Sequence, residues 1–178
     1  LIGATNVGKT CIVTRATSNL YNPGQTSTVG ASFSVKEVIV NGNKATLRIW
    51  DTAGQEKFRS LAPMYFQGAQ VVLVVFALDS IHSFEEIDLW ISEVKSALSE
   101  NPVLFLIGNK ADLLDKRAIS FQEGQRKAEE LNATYFETSA KIGQNIEELF
   151  MSIAEVVVSM KIEENASKVS LTESRSEE

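Results

Sequence analysis

The chain has one cysteine, one histidine, no surplus of basic residues and no long apolar run. A single cysteine, Cys11, excludes an internal disulfide and suits a reducing compartment. Its simplest role is that of a small buried side chain. The lone histidine, His82, falls in an expected loop and carries no chemistry by itself. No stretch approaches the ~20 apolar residues of a membrane-spanning helix. Lys and Arg number 17 against 23 Asp and Glu, a net charge of −6. That balance argues against a nucleic-acid polymer as partner, because such binding favours a basic face. There is no internal repeat and no break in composition that would start a second domain. From Lys161 the apolar spacing dissolves into a Glu- and Ser-rich stretch. The expectation is one folded domain over 1–160 and a flexible C-terminal tail over 161–178.

What is present is an alternation of apolar runs and amphipathic stretches. Phe33 to Val40 alternates apolar and polar residues, as a half-buried strand does. Asn41-Gly42-Asn43 is a turn signal, and Ala45 to Trp50 reads as the returning strand of an antiparallel hairpin. Val71 to Ala77 is apolar throughout, the mark of a strand covered on both faces, and Val103 to Ile107 resembles it. A short last strand is expected at Thr134-Tyr135-Phe136. Phe84, Ile87, Trp90, Ile91, Val94 and Leu98 form one apolar stripe at helical spacing. Ile146, Leu149, Phe150, Ile153, Ala154 and Val157 form another. The fold class is therefore α/β, a mostly parallel six-stranded sheet with one antiparallel hairpin strand and helices on both faces. Ligands of such sheets sit in the loops after the carboxyl ends of the strands.

Three loops of that kind carry chemistry, and a fourth adds to them. Gly3-Ala4-Thr5-Asn6-Val7-Gly8-Lys9-Thr10 fits the phosphate-loop pattern. Its glycines let backbone N–H groups approach an anion, Lys9 adds charge for the outer phosphates, and the Thr10 hydroxyl can hold magnesium. A strand normally precedes such a loop by more than two residues, so the start reads as clipped. Asp51-Thr52-Ala53-Gly54-Gln55 follows the second hairpin strand. There Asp51 can reach a phosphate-bound magnesium, the Gly54 N–H can approach the terminal phosphate, and Gln55 can orient a water. Asn109-Lys110-Ala111-Asp112 offers a carboxylate that accepts from guanine N1–H and the 2-amino group, a donor pair adenine lacks. Ser139-Ala140-Lys141 can present a backbone N–H to guanine O6.

In this order the four segments resemble the nucleotide boxes of small Ras-like GTPases, which share the phosphate-loop NTPase fold. The resemblance runs to about Met160. Ser27 to Phe33, Trp50 to Glu56 and Leu61 to Ala69 resemble the switch regions of the Rab family. Gly30-Ala31-Ser32-Phe33 and Lys116 to Glu123 are most similar to its early-endosomal branch. The resemblance implies a slow hydrolysis of GTP to GDP, with GTP/GDP and Mg2+ as bound groups. It implies catalytic roles for Gln55 and Lys9, and magnesium at Thr10, Thr28 and Asp51. Nucleotide contacts are implied at Thr5, Asn6, Val7, Gly8, Lys9, Thr10, Tyr21, Thr28 and Gly54. Cys11 joins them through its backbone N–H, as do Asn109, Lys110, Asp112, Ser139, Ala140 and Lys141. Phe33, Trp50 and Tyr65 match the aromatic trio of Rab effector surfaces.

The implied partners are GTP-state effectors, an exchange factor and a GTPase-activating protein that supplies an arginine in trans. No arginine lies between Ala16 and Ser32 to act in cis, and Arg15, on the first helix, points elsewhere. A GDP dissociation inhibitor is implied if the protein is prenylated, but the cysteines of the family's lipid anchor are absent from this chain. A monomer is expected, in the cytoplasm and on the cytoplasmic face of endosomal or other vesicle membranes. Two alternatives stay open. Asn6, where the family has a small residue, would suit an idle GTP-binding scaffold. A phosphate-loop ATPase or small-molecule kinase would have no use for Asp112 as a guanine reader.

Overall fold

A tight hairpin opens the sheet. Strands β1 (Ala31–Val40) and β2 (Asn43–Thr52) pair antiparallel, with Phe33 opposite Trp50 and Val40 opposite Asn43. Asn41 and Gly42 turn the corner with φ of 49° and 78°, the two positive values a mirror-image two-residue turn requires. Ala45, Leu47 and Ile49 face the core, while Arg48 and Trp50 face outward. The computed structural model describes the backbone at 1–54 and 62–173 and the side chains at 1–54 and 64–165.

Three further strands run parallel in the order β3 (Val71–Ala77), β4 (Val103–Asn109) and β5 (Thr134–Glu137). The sixth expected strand is a bridge: Ile2 pairs in parallel with Val74 of β3. The Ile2 N–H donates to Leu73 and its carbonyl accepts from Val75, at 2.9 and 2.8 Å. On the other side the Leu1 nitrogen donates to the Trp50 carbonyl of β2 at 2.7 Å. Leu1 and Ile2 thereby join the hairpin to the parallel strands, and the glycine loop leaves from the middle of the sheet.

Helices cover both faces. Helix α1 (Lys9–Ser18) and α6 (Ile146–Glu173) pack on one side, burying Ile12, Val13, Leu149 and Phe150 against β1 to β4. Helix α2 (Ala62–Phe66) and the pair α3 (Ile81–Glu85) and α4 (Ile87–Ala97) cover the other, with Phe66 and Trp90 in the core. The stripe expected as one helix is two, divided at Glu86, and Leu98 has left the helix with extended backbone. Helix α6 keeps its expected buried stripe, and its backbone stays helical to Glu173, past the loss of apolar spacing at Lys161.

Helix α5 (Phe121–Glu130), also on the second face, gives no apolar stripe in the sequence. It starts with a reciprocal cap: the Ser120 hydroxyl accepts from the Glu123 N–H, and the Glu123 carboxylate accepts from the Ser120 N–H. Its buried face is Gly124 and Ala128. Gly124 lies beneath the Tyr135 ring, so a Cβ there would sit 2.9 Å from Cε2 and closer still to Cζ and the hydroxyl. Helix propensity alone predicts that Gly124→Ala stabilises by about 1 kcal/mol. Overpacking against a ring held by β5 predicts a net loss of about 1–3 kcal/mol. Urea denaturation of the nucleotide-loaded protein reads the sign, and a loss is the expected result.

Candidate nucleotide-binding site

The carboxyl ends of the parallel strands and the start of α1 surround one cavity of about 280 Å3. Its floor is the glycine loop. Asn6 and Gly8 take φ of 64° and 97°, left-handed values that turn successive peptide groups inward. Thr5, Asn6 and Gly8 line the space. Val7 does not; its side chain is buried and its carbonyl accepts from Asn109 Nδ2 at 2.8 Å. A Cβ at Gly8 would strike that same Nδ2. Among the described residues no side chain caps α1, and its first turn has no acidic residue, so its N-terminal N–H groups and dipole are directed at the cavity.

Lys9 is buried, and its Nζ donates to the carbonyls of Gly3 and Ala4 at 2.7 and 2.8 Å. Burial lowers its pKa from 10.5 to about 8, with the Asp51 and Glu86 carboxylates opposing the drop. Gly54 closes over this pair. A Cβ there would sit 2.5 Å from the Ala4 carbonyl oxygen and 2.6 Å from Lys9 Nζ.

Beside Lys9, three oxygen-bearing side chains meet. Thr10 Oγ1 donates to Asp51 Oδ2 at 2.5 Å and lies 2.6 Å from Thr28 Oγ1. Asp51 Oδ1 is buried with no hydrogen-bond partner among the described residues. Burial raises the Asp51 pKa, against the opposing pull of the Thr10 hydroxyl, nearby positive charge and the Ser32 hydroxyl. Two hydroxyls and a carboxylate with an idle buried oxygen form a hard-oxygen donor set of the type magnesium takes. Thr28 belongs to the segment before β1, whose Gly30 carbonyl accepts from the Ala53 N–H at 2.8 Å.

At the other end of the cavity stand Asn109, Lys110 and Asp112, with Ala140 and Lys141. Asp112 Oδ1 accepts from the buried Ser139 hydroxyl at 2.6 Å, and Lys141 Nζ lies 4.0 Å from Oδ2. Asn109 Oδ1 accepts from the Thr138 hydroxyl at 3.1 Å and from the Ala140 N–H at 3.3 Å. Cys11 and Tyr21 also line the space. Burial raises the Cys11 pKa, so the thiol is protonated at neutral pH and a poor nucleophile.

Phe33, Trp50 and Tyr65 come together away from the cavity, on the outer face of the hairpin. Ring centroids are 5.1 Å apart for Phe33–Trp50 and 5.7 Å for Trp50–Tyr65. Phe33 and Trp50 remain 49% and 44% exposed. Gln55 lies outside the described residues. Sequence reading missed Asp79, whose Oδ1 pairs with Lys110 Nζ at 3.4 Å, and the link Arg15 makes to the 139–141 loop. Neither has a local signal: each partner is far along the chain.

A glycine loop running from mid-sheet into a helix N-terminus, with a hard-oxygen cluster at its side, defines a phosphate-loop nucleotide-binding protein. The sequence model of the Ras family matches residues 1–159. The human Ras-related protein Rab-30 is 41% identical over 154 residues, which cover 86% of this chain and 76% of that protein. Its namesake in Bos taurus gives the same figures. The GTP-binding protein ypt2 of Schizosaccharomyces pombe is 37% identical over 163 residues, covering 92% of this chain and 82% of that protein. The chain belongs to the Ras family, as one of its Rab-type small GTPases, which bind GTP and GDP with magnesium and hydrolyse GTP.

The lowered Lys9 pKa sets a pH dependence for the nucleotide-free protein. Between about pH 8 and 10.5 the unfolded chain holds more protons at this group than the folded chain. Stability therefore rises with pH across that window, with a slope approaching one proton. Lys9→Met removes this contribution. Urea denaturation of the stripped native and variant proteins at pH 7.5 to 10.5 should give a stability difference that changes with pH in that direction.

Proposed function

We propose that this GTPase is a switch in vesicular, specifically endosomal, membrane traffic, and that its nucleotide runs the length of the cavity just described. One observation supports this most. The anion-ready loop and the base-reading candidates Asp112 and Ala140 line a single space. In this reading, N–H groups from Thr5 to Cys11 surround the phosphates and Lys9 meets the outer ones. Tyr21 packs against guanine, with Asn109, Lys110 and Lys141 around it. Asp112 accepts from N1–H and the 2-amino group, while the Ala140 N–H meets O6 and Ser139 orients Asp112. Thr10, Thr28 and Asp51 would hold magnesium, which neutralises charge on the outer phosphates when bound.

Hydrolysis needs a water aligned with the γ-phosphate, and Gln55 is the residue we assign to orient it. The water oxygen bonds to phosphorus as the bond to the β-phosphate oxygen breaks, giving GDP and phosphate. With no arginine between Ala16 and Ser32 to act in cis, turnover is slow, on the order of 10⁻⁴ per second. A GTPase-activating protein supplying an arginine in trans would add about 10⁵-fold. Thr28 and Gly54 contact the γ-phosphate and let go when it leaves, which remodels the surface bearing Phe33, Trp50 and Tyr65. Effectors bind that surface in the GTP state, and an exchange factor reloads the site. The runs Gly30 to Phe33 and Lys116 to Glu123 support the endosomal part of the reading.

Two measurements test these assignments. Asp112→Asn should move preference from guanine toward xanthine nucleotides, read by competition against labelled GDP. Unchanged guanine selectivity would remove Asp112 as the base reader. Hydrogen exchange should be slower at 21–33 and 54–68 with a GTP analogue than with GDP. Equal exchange in both states would defeat the switch.

A further inference from the structure

Asp79 follows β3 and does not itself line the cavity. Its backbone is fixed on both sides. The Leu78 N–H donates to the Asn109 carbonyl at 2.9 Å, and the Leu78 carbonyl accepts from the Ala118 and Ile119 N–H groups at 2.8 and 3.1 Å. The Ser80 N–H donates to the Ala77 carbonyl at 3.0 Å, and the Ser80 hydroxyl caps α3 by accepting from the Ser83 N–H at 3.2 Å. The Asp79 side chain is 21% exposed, and its Oδ1 is buried with no hydrogen bond among the described residues. The charge beside that oxygen is the Lys110 ammonium, at 3.4 Å. The contact is ionic rather than an aligned hydrogen bond, so it restrains the ammonium by charge.

Lys110 is part of the cavity wall. Its backbone is as fixed as that of Asp79. Its φ is 68°, a left-handed value uncommon outside glycine. Its carbonyl accepts from the Leu113 N–H at 3.0 Å, and the following N–H, of Ala111, donates to the Thr138 carbonyl at 3.0 Å. What remains free is a flexible four-carbon stem with a charge at its end. That charge is felt inside the cavity. Burial and the Asp51 carboxylate raise the pKa of the Cys11 thiol, which lines the same space, and the Lys110 charge opposes them. The ammonium therefore stands between a fixed carboxylate outside the wall and the volume within it.

We propose that Asp79 is a positioning residue for nucleotide retention: its charge holds the Lys110 ammonium on the β3 side of the cavity, and with it the stem that walls the base end. This rests on the placement of guanine at that end, given above. Asp79 touches no part of the nucleotide in this reading and acts only through Lys110.

A double-substitution cycle on the full chain tests it, read as the rate of labelled GDP release in the presence of magnesium. Asp79→Ala should speed release about fivefold, the upper range for a partly exposed ion pair. Asp79→Asn keeps an acceptor without the charge; it should give about threefold, and is read alone if the alanine variant fails to fold. Lys110→Met keeps an unbranched stem and removes the ammonium. In that background either change at position 79 should leave the rate within about 1.5-fold. A role confined to the loop of Asp79 itself would speed release by the same factor in both backgrounds, and that result overturns the inference. So does an unchanged rate when Asp79 is replaced and Lys110 is native. Competition by ADP separates the inference from the reading beneath it. A native chain that binds ADP as well as GDP overturns the guanine placement and this inference with it. A native preference for GDP with no coupling between positions 79 and 110 overturns the inference alone.

Discussion

One carboxamide sets the length of the site. Asn109 ends β4 and is buried with its amide between two loops. It donates to the Val7 carbonyl of the glycine loop and accepts from Thr138 and Ala140 of the loop after β5. The two ends of the cavity are therefore at a separation fixed by one rigid side chain. Glycine at position 8 follows from this geometry as much as from anion binding, because any Cβ there would strike the same amide nitrogen. Parallel strands bring the loops to one edge of the sheet; Asn109 turns that proximity into a measured span.

The phosphate end is built on groups that are costly to leave without a ligand. A buried ammonium, a helix N-terminus with no side-chain cap among the described residues and a buried carboxylate oxygen with no hydrogen bond among them each lose solvation on folding. Lys9 recovers part of its loss by donating to Gly3 and Ala4, and Asp51 part of its own from Thr10. Burial pushes Lys9 toward the neutral amine and Asp51 toward the neutral acid, and a phosphate–magnesium pair reverses both tendencies. The free site thus stores unfavourable solvation that binding releases.

Local chemistry was readable from the sequence and distant contact was not. The Asn41-Gly42 turn, the twice-buried β3 and the stripe of α6 each follow from a short pattern, and each is present. The glycine loop and the loops after β4 and β5 were legible as short motifs, and they meet around one cavity. Helix α5 was not, since its buried face is glycine and alanine beneath a tyrosine, which produces no hydrophobic periodicity. The break at Glu86 escaped for the opposite reason: Phe84 and Ile87 are both apolar and at helical spacing, and such spacing cannot show that Phe84 belongs to a separate turn capped by Ser80. Leu1 and Ile2 read as the end of an apolar strand and Ile2 does bridge to β3, but two residues could not show that they join β2 and β3 at once.

These contacts divide the site into a half that is braced and a half that is conditional. At the base end, Asn109, Arg15 and the Arg117–Glu137 pair all attach the 137–141 loop to buried scaffold, and none needs a ligand to do so. At the phosphate end, Thr28 is held through a hydroxyl cluster with Thr10 and Asp51, and Gly54 through close approach to Ala4 and Lys9. Those contacts join the two segments to groups whose charge and solvation change with the ligand. The same two segments are bonded to each other, Ala53 to Gly30, so displacement of one disturbs the other. They also lead directly into the strands that carry Phe33 and Trp50. On the proposed placement of the nucleotide, a change at the γ-phosphate would therefore reach the aromatic surface along β1 and β2, while the ties at the other end of the cavity would not register it.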